Sequence, residues 1–128
     1  MAIDLRRRNG ELGERIAEEH LEHRGFTIVA RNFRTRYGEV DLIAADDRSI
    51  VFCEVKTRIA GSRGGPDGPL DAIGPKKRLR LRRMALQWLA ETPAGDRPHR
   101  EELRFDAVGV VLSPAGRLLA LEHVEDAF

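Results

Sequence analysis

The sequence contains one cysteine, Cys53, and almost no net charge, with 22 basic residues against 21 acidic ones. It has no apolar run of membrane-spanning length, no internal repeat and no glycine-rich phosphate motif opening a helix. Each absence excludes something. A lone thiol rules out a cysteine metal site and fits a reducing compartment. Cys53 itself sits in Ile50-Val51-Phe52-Cys53, where it reads as a small core residue. Met1-Ala2-Ile3-Asp4-Leu5 runs straight into Arg6-Arg7-Arg8 without the apolar segment of a signal peptide, so a cytoplasmic protein with no membrane contact is expected. The four histidines, His20, His23, His99 and His123, show no metal-ligand spacing and read as surface or boundary groups.

What is present is charge arranged in blocks. Glu11, Glu14, Glu18, Glu19 and Glu22 fall in the first helical stretch, whereas Lys76, Lys77, Arg78, Arg80, Arg82 and Arg83 crowd one short segment. At 128 residues and 41% hydrophobic, the chain is expected to form one domain around a single core. A first helix is predicted from about Gly10 to Arg24, with Leu12, Ile16, Ala17 and Leu21 as its apolar stripe and Gly25 ending it. Glu14 lies at the edge of that stripe, the one acid of this helix placed to reach inward, although periodicity alone favours a solvated position. Phe26 to Ala30 reads as a short strand. Arg31 to Tyr37 alternates basic with apolar or aromatic residues, so Arg34 and Arg36 point outward, either toward phosphates or toward solvent.

The most informative stretch is Gly38-Glu39-Val40-Asp41-Leu42-Ile43-Ala44, followed after Asp46-Asp47-Arg48-Ser49 by Ile50-Val51-Phe52-Cys53-Glu54-Val55-Lys56-Thr57-Arg58. Asp41 interrupts one apolar run and Glu54 and Lys56 another, and β-branched and aromatic content marks both as strands of a hairpin. Charges inside such strands are costly unless they pair or hold a metal. Side chains alternate along a strand, so Glu54 and Lys56 share a face and converge with Asp41. Two carboxylates suit a hard cation such as Mg²⁺, and a nearby lysine offsets charge on a phosphate. The competing reading is a strand whose charges merely solvate it.

Residues 59 to 74 hold so many glycines and prolines that a long loop is expected, placed to close over a substrate. Gly74 and Pro75 then read as N-cap and first residue of a helix whose Leu81, Met84, Ala85, Trp88 and Leu89 face a core. Trp88 is therefore core. Lys76, Lys77, Arg78 and Arg80 carry the wrong sign for a helix N-terminus, which points to an anion such as a phosphate backbone. Thr92 to Glu102 reads as a surface connection. Leu103 to Leu112 and Arg117 to Leu121 read as strands joined by Ser113-Pro114-Ala115-Gly116. Asp106 is an acid among apolar neighbours, explained equally by a site, a turn or the surface.

Together, Glu14, Gly38-Glu39-Val40-Asp41, Phe52 to Arg58, Lys77 and Arg104-Phe105-Asp106 resemble the YraN family from about Gly13 to Phe128. That family is related in fold to archaeal Holliday junction resolvases within the PD-(D/E)xK nuclease superfamily. The resemblance implies a restriction-endonuclease-like α/β core, a mixed central sheet flanked by helices. It also implies Asp41 and Glu54 as metal ligands, Glu14 completing the acidic cluster, Lys56 as catalytic lysine, and Mg²⁺ or Mn²⁺ as cofactor. Lys77 becomes a substrate-facing base, with Lys76, Arg80, Arg58, Arg36 and Arg34 as further candidates for contact with DNA. The superfamily's leading proline is absent, since Val40 precedes Asp41, and Glu39 has no assigned role there.

The function implied is an endonuclease acting on branched or otherwise structured DNA. The alternative is a non-catalytic nucleic-acid-binding protein in DNA processing or recombination. Retention of Asp41, Glu54 and Lys56 favours the first, because clustered acids repel phosphate in a mere binding module. Resolvase relatives act as dimers, which leaves a homodimer open for this chain by analogy.

Overall fold

The computed structural model describes residues 5–61, 75–93 and 102–128. Two helices and five strands follow in the order α1 (Leu5–His23), β1 (Thr27–Thr35), β2 (Gly38–Ala45), β3 (Ser49–Ile59), α2 (Pro75–Glu91), β4 (Glu102–Leu112) and β5 (Leu118–Val124). The strands form one sheet in sequence order, with β3 and β4 parallel and every other neighbour antiparallel. This is the mixed α/β sheet with flanking helices expected of a restriction-endonuclease-like core. None of the described helices is long and apolar enough to cross a membrane.

The core divides by sheet face. Ala17 and Leu21 of α1 pack on Leu42, Ala44, Val51, Cys53, Val108, Val110 and Leu112. Leu81, Met84, Ala85 and Trp88 of α2 pack on Val40, Ile43, Ala45, Ile50, Phe52 and Phe105 on the other face. Trp88 stands edge-on to Phe52, their centroids 5.8 Å apart, so it is indeed a core residue. β3, flanked by β2 and β4 and covered on both faces, reads as an almost continuous apolar run. That is why an acid and a lysine within it stood out.

Several boundaries differ from expectation. α1 begins at Leu5 rather than near Gly10, so Gly10 and Gly13 lie inside it. Interior glycine costs a helix about 1 kcal/mol, but Gly13 is required by packing. A methyl group there would sit 1.9 Å from Thr57 Oγ1 and 3.0 Å from Thr57 Cβ, because α1 crosses β3 at this point. At the other end Gly25, at φ 94°, ends α1 as anticipated. Gly25 N–H donates to Glu22 O and Phe26 N–H to Leu21 O, both at 3.0 Å, which is the Schellman arrangement.

The short strand and its charged lead-in are one strand, β1, with a bulge between Ile28 and Ala30. β5 runs on to Val124, three residues past the expected end. The Asp46 turn closes the β2–β3 hairpin as read, Asp46 Oδ1 accepting from Arg48 N–H at 2.9 Å and Ser49 N–H at 2.8 Å. The expected loop lies outside the described residues from 62 onward, as do the Gly74 cap and residues 94–101 of the surface connection.

Candidate metal and phosphate site

The site forms where the sheet departs from regular pairing. The β2–β3 ladder runs from Ala45↔Ile50 to Leu42↔Cys53. Beyond it the Asp41 carboxylate replaces a backbone acceptor, Oδ2 receiving Val55 N–H at 2.7 Å. Strict alternation would put Val40 and Leu42 on one face, yet Val40 packs toward α2 and Leu42 toward α1. β2 therefore twists at Asp41. On β1, Asn32 lies between the pairs Arg31↔Leu42 and Phe33↔Val40 and adopts φ 50°, a left-handed conformation that asparagine tolerates better than most residues.

These departures gather three acids from two elements. Glu14 of α1 and Glu39 and Asp41 of β2 bring carboxylate oxygens within 4.8 Å of one another. Both neighbours of the Asn32 amide are carboxylates, so its nitrogen faces them, donating to Glu39 Oε1 at 2.6 Å and Glu14 Oε2 at 3.2 Å. Burial, then the charges of Glu54, Glu14 and Glu39, push the Asp41 pKa up to about 7 against the pull of the Val55 N–H. Burial and Glu39 likewise raise Glu14. Crowded carboxylates of this kind are stabilised by a proton or a cation.

Glu54 is buried on β3 and faces two lysines, with Lys77 Nζ at 2.7 Å and Lys56 Nζ at 3.5 Å from Oε1. The Lys77 ammonium and burial hold the Lys56 pKa below its ordinary value. Burial works against the charge of Lys77, but its bond to Glu54, its contact with Lys56 and the charges of Glu54 and Asp41 together outweigh this and raise its pKa. A cleft of about 420 Å³ opens over the group, lined by Tyr37, Glu39, Asp41, Glu54, Lys77 and Arg80 among others. A second hollow of about 320 Å³, on the α1 side of β3, reaches Glu14, Lys56, Thr57 and Asn9.

Of the residues singled out from sequence, Glu14, Asp41, Glu54, Lys56, Lys77 and Arg80 come together here. Glu54 stands as the lysines' counter-ion beside the three-carboxylate group. Lys76 is exposed on α2 and Arg58 half-buried on β3. Arg34 is drawn to Glu39 at 3.4 Å, and Arg36 hydrogen-bonds Tyr37 at the hairpin tip. Sequence reasoning left Glu39 without a role, although its place two residues from Asp41 on one strand was a usable signal. Asn32 was missed as well, with no signal beyond its residue type.

His20 and His123, half-buried as boundary groups, and the exposed His23 stand where they were expected, but the first two also join a network around Asp106. Asp106 is fully buried, held by Nε and Nη2 of Arg104 (2.9 and 2.8 Å), by His123 Nε2 (2.8 Å) and by Asp126 N–H (2.9 Å). His123 Nδ1 lies 3.0 Å from His20 Nε2 on α1. His20 and His123 are thus members of an ordered network, linked at a separation of 103 residues that local spacing does not reveal. Burial would raise the Asp106 pKa, but bonds from His123, Arg104 and Asp126 hold it below the usual carboxylate value. The network anchors the C-terminal half of α1, while Gly13 brings its N-terminal half close enough for Glu14 to join the acids.

Gly13→Ala should therefore destabilise the fold by about 1–3 kcal/mol through overpacking, exceeding the gain of roughly 1 kcal/mol in helix propensity. Adding Thr57→Ala removes the nearest clashing atom and should recover part of the loss in urea denaturation. A Gly13→Ala protein as stable as wild type would show that α1 adjusts at no cost.

Residues 13–110 match the model of the uncharacterised protein family UPF0102. A UPF0102 protein of Nocardia farcinica is 45% identical over 120 residues, covering 93% of this chain and 87% of its own. One from Frankia alni is 41% identical over all of both chains. One from Mycolicibacterium vanbaalenii is 46% identical over 101 residues, 79% of this chain and 78% of its own. The chain belongs to the uncharacterised protein family UPF0102, the YraN family of the sequence-based expectation.

Proposed function

We propose that this protein is a divalent-metal-dependent endonuclease that hydrolyses phosphodiester bonds in branched or otherwise structured DNA. The observation that carries the reading is the meeting of Glu14, Glu39 and Asp41 within 4.8 Å, beside a carboxylate held by two lysines. The donors fit the ion: all are hard oxygens, their mutual repulsion is relieved by positive charge, and an open cleft admits solvent and substrate. A Mg²⁺ or Mn²⁺ held by these carboxylates would supply Lewis acidity toward a phosphodiester and toward an attacking water.

The chain's own groups supply the rest. Lys56 and Lys77 place ammonium N–H groups beside the acids, where they offset charge developing on a phosphate. Glu54 fixes both lysines and keeps their charge at the cleft. Asp41 has one oxygen committed to Val55 N–H, which fixes the direction of the other. Arg80 and Lys77 line the cleft and Lys76, one turn before Arg80, is exposed on the same helix, so a polyanion would meet a basic wall above an acidic floor.

The test is incubation of the purified protein with labelled linear duplex, flap and four-way junction DNA in Mg²⁺, Mn²⁺ or EDTA. Cleavage of the branched substrates with either metal, none in EDTA, and a metal-induced rise in melting temperature are expected. Binding of DNA with no cleavage and no thermal response to either metal would overturn the nuclease reading and leave an accessory binding protein.

A further inference from the structure

Beside the cleft, around the Tyr37 that lines it, the charge differs from that of its floor. Among the described residues, Arg36, Arg80 and Arg83 form no ion pair with a carboxylate, and two of them are brought together by one ring. The Arg36 guanidinium lies 4.9 Å from the Tyr37 ring centroid and that of Arg83, on α2, lies 5.7 Å from it. Tyr37 Oη also accepts a bond from Arg36 Nη2 at 2.6 Å.

The ring is held in place. Tyr37 N–H donates to Thr35 Oγ1 at 3.0 Å, and that hydroxyl donates to Gly38 O at 3.2 Å. Gly38 adopts φ 133°, and a methyl group there would sit 3.8 Å from Met84 Sδ, so the hairpin tip rests against α2. Two like charges from separate elements repel, and the ring quadrupole offsets this only in part. A polyanion running past the ring would complete the balance.

We propose that Arg36 and Arg83, held against Tyr37, form a second phosphate-binding site that grips a DNA strand as it leaves the acidic cluster. Tyr37 is the positioning residue, its ring already engaged with guanidinium groups rather than open to a base. Tyr37 lies four positions before Asp41, roughly 13 Å of extended chain, so the gripped phosphate lies a few nucleotides from the bond facing the acids. This site would fix the register of the strand without reading its bases. The choice of DNA as the polyanion rests on the proposed function.

The test measures binding in EDTA, by fluorescence anisotropy over a range of salt, with a labelled duplex and a four-way junction. Arg83→Gln should weaken binding to both several-fold and make the slope of log K against log[salt] shallower by about 0.9, one duplex phosphate contact. Tyr37→Leu should do the same, Tyr37→Phe should retain most of the affinity, and the Tyr37→Leu, Arg83→Gln double variant should be little worse than either single one. Unchanged slopes, or fully additive losses in variants that melt like wild type, would overturn the site.

Tripolyphosphate titrated in parallel separates a free polyphosphate from a strand. Tighter binding of it than of DNA, lost in Arg83→Gln, would overturn the assignment to DNA. Cleavage by wild type with unchanged binding by the variants would refute this site alone. Absent cleavage with weakened variant binding would refute the nuclease reading alone.

Discussion

Asp106→Asn should cost about 3–5 kcal/mol of stability, as breaking one side of a buried ion pair usually does. Four donors converge on the two Asp106 oxygens. An amide supplies one oxygen and turns an N–H₂ toward the remaining donors, while Arg104 keeps a charge with 14% of its side chain exposed. Most domains hold only about 5–15 kcal/mol in all, so the melting temperature should fall by roughly 10–20 °C. Thermal and urea denaturation would measure it, and a loss below about 1 kcal/mol would show that the network contributes little.

The same network predicts a pH dependence. Asp106 is ionised and accepts from His123 Nε2–H, so a neutral His123 offers its Nδ1 lone pair to His20 Nε2–H. Burial, then the neighbouring His123, Arg24 and His23, lower the His20 pKa. The unfolded chain therefore binds this proton more readily than the folded one, and stability should decline as pH falls below about 6.5. The lowered pKa of Asp106 adds a further loss at acid pH, below its unfolded value of 3.8. Asp106→Asn should flatten that acid limb.

Asp41→Asn should act in the opposite direction on stability and abolish function. The amide oxygen can still accept Val55 N–H, so the local geometry is retained. What disappears is a carboxylate whose pKa is raised from 3.8 to about 7, a change corresponding to a few kcal/mol at about 1.4 kcal/mol per tenfold. The folded protein holds that proton longer than the unfolded chain does, so wild-type stability without metal should fall as pH rises from about 4 to 7.

In EDTA at pH 8 the variant should thus melt higher than wild type, and the two should converge toward pH 4. With Mn²⁺ the order should reverse: wild type gains stability by ligation and the variant, with one carboxylate fewer, gains far less. Cleavage of junction DNA should be lost, while binding in EDTA stays equal or tightens because phosphate meets less negative charge. Equal stabilisation of both proteins by Mn²⁺ would remove Asp41 from the metal site.

Much of the site was legible because its chemistry conflicts with its surroundings. Asp41, Glu54 and Lys56 are charged residues inside apolar strands, and period-two alternation is enough to bring Glu54 and Lys56 to one face. α2 was equally clear, since Leu81, Met84, Ala85 and Trp88 keep helical spacing and all four are buried. The start of α1 was misjudged because local propensity discourages glycine, and only the crossing over Thr57 explains Gly13.

By itself, then, the sequence determined the apolar stripe of each helix, the two strands of the β2–β3 hairpin, and the identity of most charged groups at the cleft. These follow from periodicity and from the cost of burying charge, both of which act over a few residues. Only the tertiary structure decided which carboxylates meet. Glu14 meets Glu39 and Asp41 because α1 crosses close to the sheet at Gly13, and Glu54 turns to Lys77 because α2 lies over its strand. The His20–His123–Asp106 chain and the Arg36–Tyr37–Arg83 bracket also depend on residues far apart in sequence. No local pattern encodes such contacts, because the packing that creates them is a property of the whole sheet and its two helices.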